Sequence, residues 1–252
     1  MSEPPRPDSD TTRAWFREAL LDKAHDSERR LFLSTMRELI VNIENWVAID
    51  SWLGAGKVTN TKSRDEYGRE FAEFRAVATV ICMSSELTES AVEMVGRRRF
   101  YAVGACLRQL IECEYLLIWF GEEISNARKW RESDPDTIRL AFTPKKMRKL
   151  TGFPDQEYWD HCATGGHPAP VGARLLEKLD PMRSAWPFSA AELTVDLGLH
   201  IRRIWKATDS LLAKHHARYS SVRARERAQA DDAWSSWRHN DPIVQMLLGA
   251  DE

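Results

Sequence analysis

The feature that most constrains this chain is the repetition of apolar residues every three or four positions over long segments. The pattern runs through residues 26–54, where Gly54 ends it, and resumes over residues 63–96. Ser63 and Glu66 have the spacing of a capping box at the start of the second segment. A period near 3.6 residues predicts long amphipathic helices.

The segment from Arg97 to Phe120 is apolar on nearly every side. Such a segment predicts a helix that is enclosed by other helices. Arg108, Glu112 and Glu114 lie near its centre and argue against a membrane span. We therefore expect a central buried helix and no membrane partner.

The remaining pattern is also helical. Predicted helices shorten beyond Gly121, and Ser189 with Glu192 forms a second capping box that opens a long helix reaching toward Ala230. No segment between turn signals shows the alternation of apolar and polar residues that is typical of a strand. The sequence predicts an all-α fold: a single multi-helix bundle with long antiparallel helices and short helices across one end.

The chain divides by composition into three parts. Residues 1–9 hold three prolines and are predicted to be a disordered lead-in. Residues 10–230 form the predicted bundle domain, and residues 231–252 a C-terminal docking segment. A chain of 252 residues is long enough for a core that needs no disulfides.

Charge and composition exclude several classes. A formal net charge of -2 excludes a globally basic coat for nucleic acid. The first residues have neither a secretory nor a transit pattern, so we expect a cytoplasmic protein with four reduced cysteines. HExxH, GxSxG and GxGxxG are absent, and the glycines near Lys57 do not fit a phosphate-binding loop. We expect no cofactor, and the absence of these motifs favours a protein that is not an enzyme.

One stripe of the central helix carries the most informative polar residues. Arg108, Glu112 and Tyr115 fall on the same side, and the first two are four residues apart, so we predict that they contact each other. The pair can fix helix register as a buried ion pair. Alternatively, Arg108 holds an anionic ligand or Glu112 acts as a base or a metal ligand.

A second group of polar residues surrounds two glycines. Asp160, His161, Cys162 and His167 are residue types that bind metals, but their spacing matches no standard zinc pattern, so they remain candidates only. In the alternative interpretation, His161 caps or packs at its helix end and His167 lies in a proline-held turn facing Arg108 or Glu112. A general acid-base role for His167 also stays open.

The segment from Arg202 to Arg227 is strongly basic, with eight Lys or Arg against two acids. Arg218, Arg223, Arg225 and Arg227 are the candidates for contact with RNA or DNA. Sites for single-stranded nucleic acid usually combine cations with several aromatic side chains on which bases stack, but Tyr219 is the one aromatic residue among these arginines. We therefore favour the interpretation that this basic segment is a solvent-exposed helix face.

Several short motifs together resemble a known arrangement. They are Arg99 with the run of small residues that follows it, Arg108 with Glu112, and the later Gly-His167-Pro segment. The chain resembles, over residues 60 to 215, bacterial helical proteins of the DUF5677 type and the abortive-infection and HEPN-like bundles. HEPN ribonucleases carry an arginine followed after four to six residues by a histidine, and no arginine here has that spacing. The resemblance therefore implies a binding or regulatory module.

The resulting functional hypothesis is a non-catalytic cytoplasmic interaction or regulatory module, with a defence-associated role as one interpretation. Its predicted ligand-binding residues are Arg99, Arg108, Glu112, Tyr115 and His167. A protein partner or self-association is expected, through the small-residue face around Ala105 and Cys106 or through the apolar end Ile243–Leu248. The alternatives are a HEPN-like nuclease using Arg108, Glu112 and His167, and a nucleic-acid-binding regulator using the helix over residues 202–227.

Overall fold

A computed structural model describes residues 9–54, 64–166, 168–176, 185–216, 219 and 223–248. Within these ranges the chain is helical and contains no strand, which confirms the predicted all-α bundle. Residues 1–8 of the predicted lead-in lie outside the described residues, as do the capping residue Ser63, His167 and Arg218. Ser9, the last residue of the predicted lead-in, is instead the first residue of a helix.

Four helices, three of them long, come first along the chain. They are α1 (Ser9–Leu21), α2 (Lys23–Gly54), α3 (Arg64–Gly96) and α4 (Phe100–Glu122). Shorter helices follow: α5 (Ser125–Glu132), α6 (Pro135–Ala141), α7 (Pro144–Thr151) and α8 (Asp155–His161). A π-helical turn (Cys162–Gly166) and a 3-10 helix (Pro170–Leu175) connect these to α9 (Ala185–His215), α10 (Ala224–Asn240) and α11 (Pro242–Leu248).

The central helix α4 is enclosed, as its sequence predicts. Val103, Leu107, Leu110, Ile111 and Leu117 have no exposed surface. Helices α3 and α9 pack against it along its length, and α5, α7, α8 and the π-turn contact it as well. The short helices thereby reach the same helix as the long ones.

Two of the short helices begin at strong capping residues. Asp134 accepts hydrogen bonds from the backbone N–H groups of Asp136 and Thr137, each at 2.9 Å, and starts α6. Thr143 caps α7. Proline follows each cap at the first helical position, where its missing N–H costs nothing.

The second predicted capping box is wrong. Ser189 lies inside α9, which begins four residues earlier at Ala185, with Pro187 in its first turn. Proline is tolerated there because the first N–H groups of a helix have no intrahelical partner. The helix also ends at His215 instead of reaching Ala230, and α10 starts only at Ala224.

The C-terminal segment is attached to α2 through a buried ion pair. Arg29 Nε lies 2.6 Å from Asp241 Oδ2, and neither side chain is exposed. Asp241 also accepts a hydrogen bond from Trp237 Nε1 at 3.0 Å, and the Trp237 ring stacks on Phe32 with centroids 4.2 Å apart. Helix α10 extends across position 231, where the sequence analysis divided bundle from docking segment.

Candidate functional site

Three helices of different chain regions bring charged side chains together. Helix α4 contributes one acid, α8 contributes an acid and a histidine one turn apart, and α9 contributes an acid, a histidine and an arginine on successive turns. We call these residues the polar cluster: Glu114, Glu157, His161, Asp196, His200 and Arg203.

His161 has an oxygen atom at each ring nitrogen. Its Nδ1 contacts the backbone carbonyl oxygen of Glu157, and its Nε2 lies 2.6 Å from Asp196 Oδ2. A carbonyl oxygen can only accept, so Nδ1 carries the hydrogen. In a neutral ring, Nε2 would then direct a lone pair at a carboxylate. At this distance the ring is an imidazolium that donates to Asp196, and a metal ion could bind here only if it replaced that proton and the two side chains moved apart.

The pKa values of this dyad shift in opposite directions. Burial lowers the pKa of His161, but the hydrogen bond and the negative charge of Asp196 outweigh burial and raise it overall. Burial raises the pKa of Asp196, but the hydrogen bond from His161 and the charge of His200 outweigh it and lower it. Each group thus favours the charged form of the other.

His200 is fully buried among carboxylates. Its Nδ1 lies 3.0 Å from Glu114 Oε2, and its Nε2 lies 3.4 Å from Glu157 Oε1 and 3.7 Å from Asp196 Oδ1. One ligand atom each from His161, Asp196 and His200 falls within 4.8 Å of the other two. Two imidazoles and a carboxylate at this separation are a donor set for a divalent transition-metal ion.

The polar cluster has an excess of negative charge. Arg203 is its one guanidinium and pairs with both Glu114, at 3.0 Å from Nε to Oε1, and Glu157. Three carboxylates and one guanidinium leave a formal charge of -2 when both imidazoles are neutral. Glu114 is fully buried and the other two carboxylates are partly exposed, so the buried part of this charge needs a counter-charge, which imidazolium rings or one divalent cation would supply.

One buried oxygen atom near the cluster retains unused hydrogen-bonding capacity. The Tyr115 hydroxyl is buried and has no hydrogen-bond partner among the described residues, whereas Glu114 Oε1 lies 3.0 Å from Arg203 Nε. Burial is the main cause that raises the pKa of Tyr115, and the charge of Glu157 raises it further. A buried hydroxyl without a partner marks a place where water or another ligand can bind.

A small cavity gives access to one side of the cluster. Its volume is about 190 Å³, and it is lined by Asp160, His161, Arg174, Ser189 and Asp196, among others. A space of this size holds water or an ion together with a small ligand. An ion can therefore reach the dyad of His161 and Asp196 from solvent.

The predicted contact between Arg108 and Glu112 is present. Arg108 Nη2 lies 3.2 Å from Glu112 Oε1, and the side chains are 26% and 39% exposed, so the pair lies at the edge of the core. The Tyr158 hydroxyl bridges it, 3.1 Å from Arg108 and 3.3 Å from Glu112. Burial raises the pKa of Tyr158 to about 12, although the hydrogen bond from Arg108 acts to lower it.

The other predicted ligand residues lie in separate places. Arg99 is exposed at the start of α4, whereas Tyr115 is fully buried, with its ring centroid 4.9 Å from that of Phe153. Because one is exposed at the end of α4 and the other is buried further along it, the described ligand-binding candidates do not form a single site.

Of the three predicted metal candidates that the structure describes, only His161 is part of the cluster. Asp160 is exposed and bonds to Gln156 at 2.8 Å. Cys162 is buried and faces Tyr158 and Arg108. His167 lies outside the described residues, so its predicted contact with Arg108 or Glu112 stays a prediction.

The predicted nucleic-acid residues differ in burial. Arg223 is buried and pairs with Asp209 at 3.0 Å and Glu226 at 3.2 Å, and Arg227 also pairs with Asp209. Arg225 is exposed. The buried, paired guanidinium of Arg223 cannot contact a phosphate backbone, and Arg227 is partly exposed but paired. Arg225 is the one exposed member of the set among the described residues.

Sequence reasoning missed Glu157, Asp196, His200 and Arg203. A signal was available, because Glu157 and His161 are four residues apart, and so are Asp196 and His200. An acid and a histidine with this spacing lie on one helical face. Two such pairs on helices that pack against the same neighbour indicate a shared site.

Comparisons with known proteins identify no relative. No family model matches the chain, and neither a characterised protein nor a solved structure is significantly similar to it. In the part of the chain that the structure describes, no helix has the length and apolar character needed to cross a membrane.

Proposed function

We propose that the protein is a helical module that binds one divalent transition-metal ion in the polar cluster. The observation that carries this proposal is His161, whose two ring nitrogens both face oxygen acceptors. A metal ion at Nε2 would remove the need for a buried imidazolium and would balance the formal charge of the cluster. The proposal departs from the expectation of no cofactor.

The expected ligands are His161, Asp196 and His200, with Glu114 or Glu157 as further oxygen donors. Mixed imidazole and carboxylate donors suit Zn²⁺, Fe²⁺ or Mn²⁺ better than Ca²⁺ or Mg²⁺. Arg203 pairs with the same carboxylates, so we expect it to turn outward when the ion binds.

A regulatory role fits this position better than a catalytic one. The ion would connect the short helix α8 to α4 and α9, which are two long helices of the bundle. Because the ligands come from three helices, the free energy of metal binding would stabilise the packing of those helices. This agrees with the interaction or regulatory module that the sequence predicts.

The test is calorimetric titration of chelator-treated protein with Zn²⁺ and with Mn²⁺ near neutral pH. We expect one ion per chain for at least one metal and loss of binding in H161A and H200A. D196N is a milder third variant because the Asp196 side chain is partly exposed. H239A is the matched control, because His239 is exposed on α10.

Circular dichroism melting accompanies each titration and shows whether a variant still folds. The proposal fails if the folded wild-type protein binds neither metal, or if H239A loses binding to the same extent as H161A. It also fails if D196N, still folded, binds with unchanged affinity.

A further inference from the structure

A second cavity, larger than the one beside His161, lies between α4 and α9. Its volume is about 680 Å³, which is within the range of roughly 300–1,000 Å³ that small-molecule sites have. The apolar residues that line it are Leu117, Ile118, Phe153, Leu199, Leu211 and Leu248. We call this cavity the α4–α9 groove.

Basic residues of α9 line the same groove. Arg202, Arg203, Lys206 and Lys214 recur at helical spacing and so share one side of the helix. The acids among the lining residues are Glu114 and Glu122. The groove thus combines an apolar floor with a net positive edge.

Three of the four cations already have partners. The Arg202 guanidinium lies 3.4 Å from the Trp234 ring centroid, and Arg203 pairs with Glu114. Lys214 Nζ donates to the carbonyl oxygens of Gly121 and Glu122 at 2.8 and 3.0 Å. Lys206 is exposed, and no carboxylate of the described chain pairs with it.

We propose that the α4–α9 groove binds a small amphipathic carboxylate, of the size and shape of a medium-chain fatty acid. The alkyl body would cover Ile118, Phe153 and Leu199, which are partly exposed, and the carboxylate head would pair with Lys206 at the edge. Burial of the apolar body supplies affinity, and the ammonium group selects an anionic head. A phosphate backbone would gain nothing from the apolar floor. The groove shares Glu114 and Arg203 with the polar cluster, but His161, Asp196 and His200 do not line it, so the test uses metal-free protein.

The probe is decanoate, titrated calorimetrically into metal-free protein near neutral pH. Decanol and decyltrimethylammonium, which share the alkyl chain but not the negative head, are the ligand controls. K206E is the test variant. R225E is the matched control, since Arg225 is an exposed cation of α10 that does not line the groove.

We expect decanoate to bind at least tenfold more tightly than either control ligand. K206E should weaken decanoate binding about tenfold, and R225E should leave it unchanged. H161A should bind decanoate like the wild type, which separates this proposal from the metal site. Absence of decanoate binding at millimolar concentration, equal binding of all three ligands, or equal weakening in K206E and R225E would overturn it.

Discussion

At the scale of single residues, burial decides what a charged side chain contributes. Arg29 and Arg30 are neighbours in the sequence, yet Arg29 is fully buried against Asp241 while Arg30 pairs with Asp26 in solvent. A buried charge that loses its partner stays desolvated without compensation, whereas an exposed one is rehydrated. Adjacent positions in one helix therefore have very different energetic weight.

The first prediction compares these two arginines. R29M should lower the free energy of unfolding by about 3–5 kcal/mol, because it leaves Asp241 buried and unpaired. R30M should change it by about 0–1 kcal/mol. Urea unfolding measures both. Equal losses in the two variants would show that the Arg29–Asp241 pair does not hold the C-terminal segment.

Arg108 and Glu112 are the subject of the second prediction. Their partial exposure indicates a coupling energy of about 1 kcal/mol or less, smaller than a fully buried pair would give. The measurement is a double-mutant cycle with R108M, E112Q and the double variant. A coupling energy above about 2 kcal/mol would mean that the pair is desolvated in solution.

The third prediction concerns the pH dependence of Cys113. Burial raises the pKa of its thiol to about 11, against a hydrogen bond with Ser84. In the unfolded chain the thiol has a pKa of about 8.5. Unfolding is therefore increasingly favoured as pH rises from about 8.5 toward 11. Below that window the thiol is neutral in both states and contributes no pH dependence.

Unfolding free energies of wild type and C113A, measured across this pH window, give the test. The decline of the wild-type value should be steeper than that of C113A. Parallel declines would show that the Cys113 thiol ionises equally in both states. C106A provides a comparison, because Cys106 is half-buried.

At the scale of elements, the π-turn shows how a local irregularity places a site. Gly165 of this turn approaches Gly104 of α4 so closely that an added Cβ would lie 2.5 Å from the Gly104 carbonyl carbon. The absence of both side chains lets the turn press against the central helix. His161 directly precedes the turn, so its position depends on this contact.

The fourth prediction tests that contact with two glycine variants. G165A should lower the free energy of unfolding by about 1–3 kcal/mol, because backbone atoms of α4 must move. G68A should raise it by about 0.5–1 kcal/mol, because Gly68 lies inside α3 with open space around it. Thermal or urea unfolding measures both. A neutral G165A would show that the turn does not touch α4 in solution.

Sequence periodicity predicted the helices well and their ends less well. The enclosed position of α4 followed from its uniform apolar surface. The sequence also carries a start signal for α7, since Thr143 and Pro144 are typical cap and first-position residues. Helix α6 was missed although Asp134 and Pro135 carry its capping signal. The π-turn was beyond prediction, because its geometry depends on a glycine pair from two distant segments.

At the scale of the whole molecule, the polar cluster exists only through packing. Helices α4, α8 and α9 are separated along the chain, and each alone carries an ordinary set of charges. The spacing of Glu157 with His161 and of Asp196 with His200 predicts which face each pair occupies. That those faces meet at Glu114 follows from how α8 and α9 pack on α4, which no local pattern determines.

The central claim is that these converging side chains hold a metal ion. The most direct measurement is anomalous diffraction from crystals grown with Zn²⁺ or Mn²⁺, recorded at the absorption edge of the metal. We predict one anomalous peak about 2.0–2.3 Å from His161 Nε2, an oxygen of Asp196 and a ring nitrogen of His200. An empty cluster at saturating metal, with His161 Nε2 still hydrogen-bonded to Asp196, would contradict the claim.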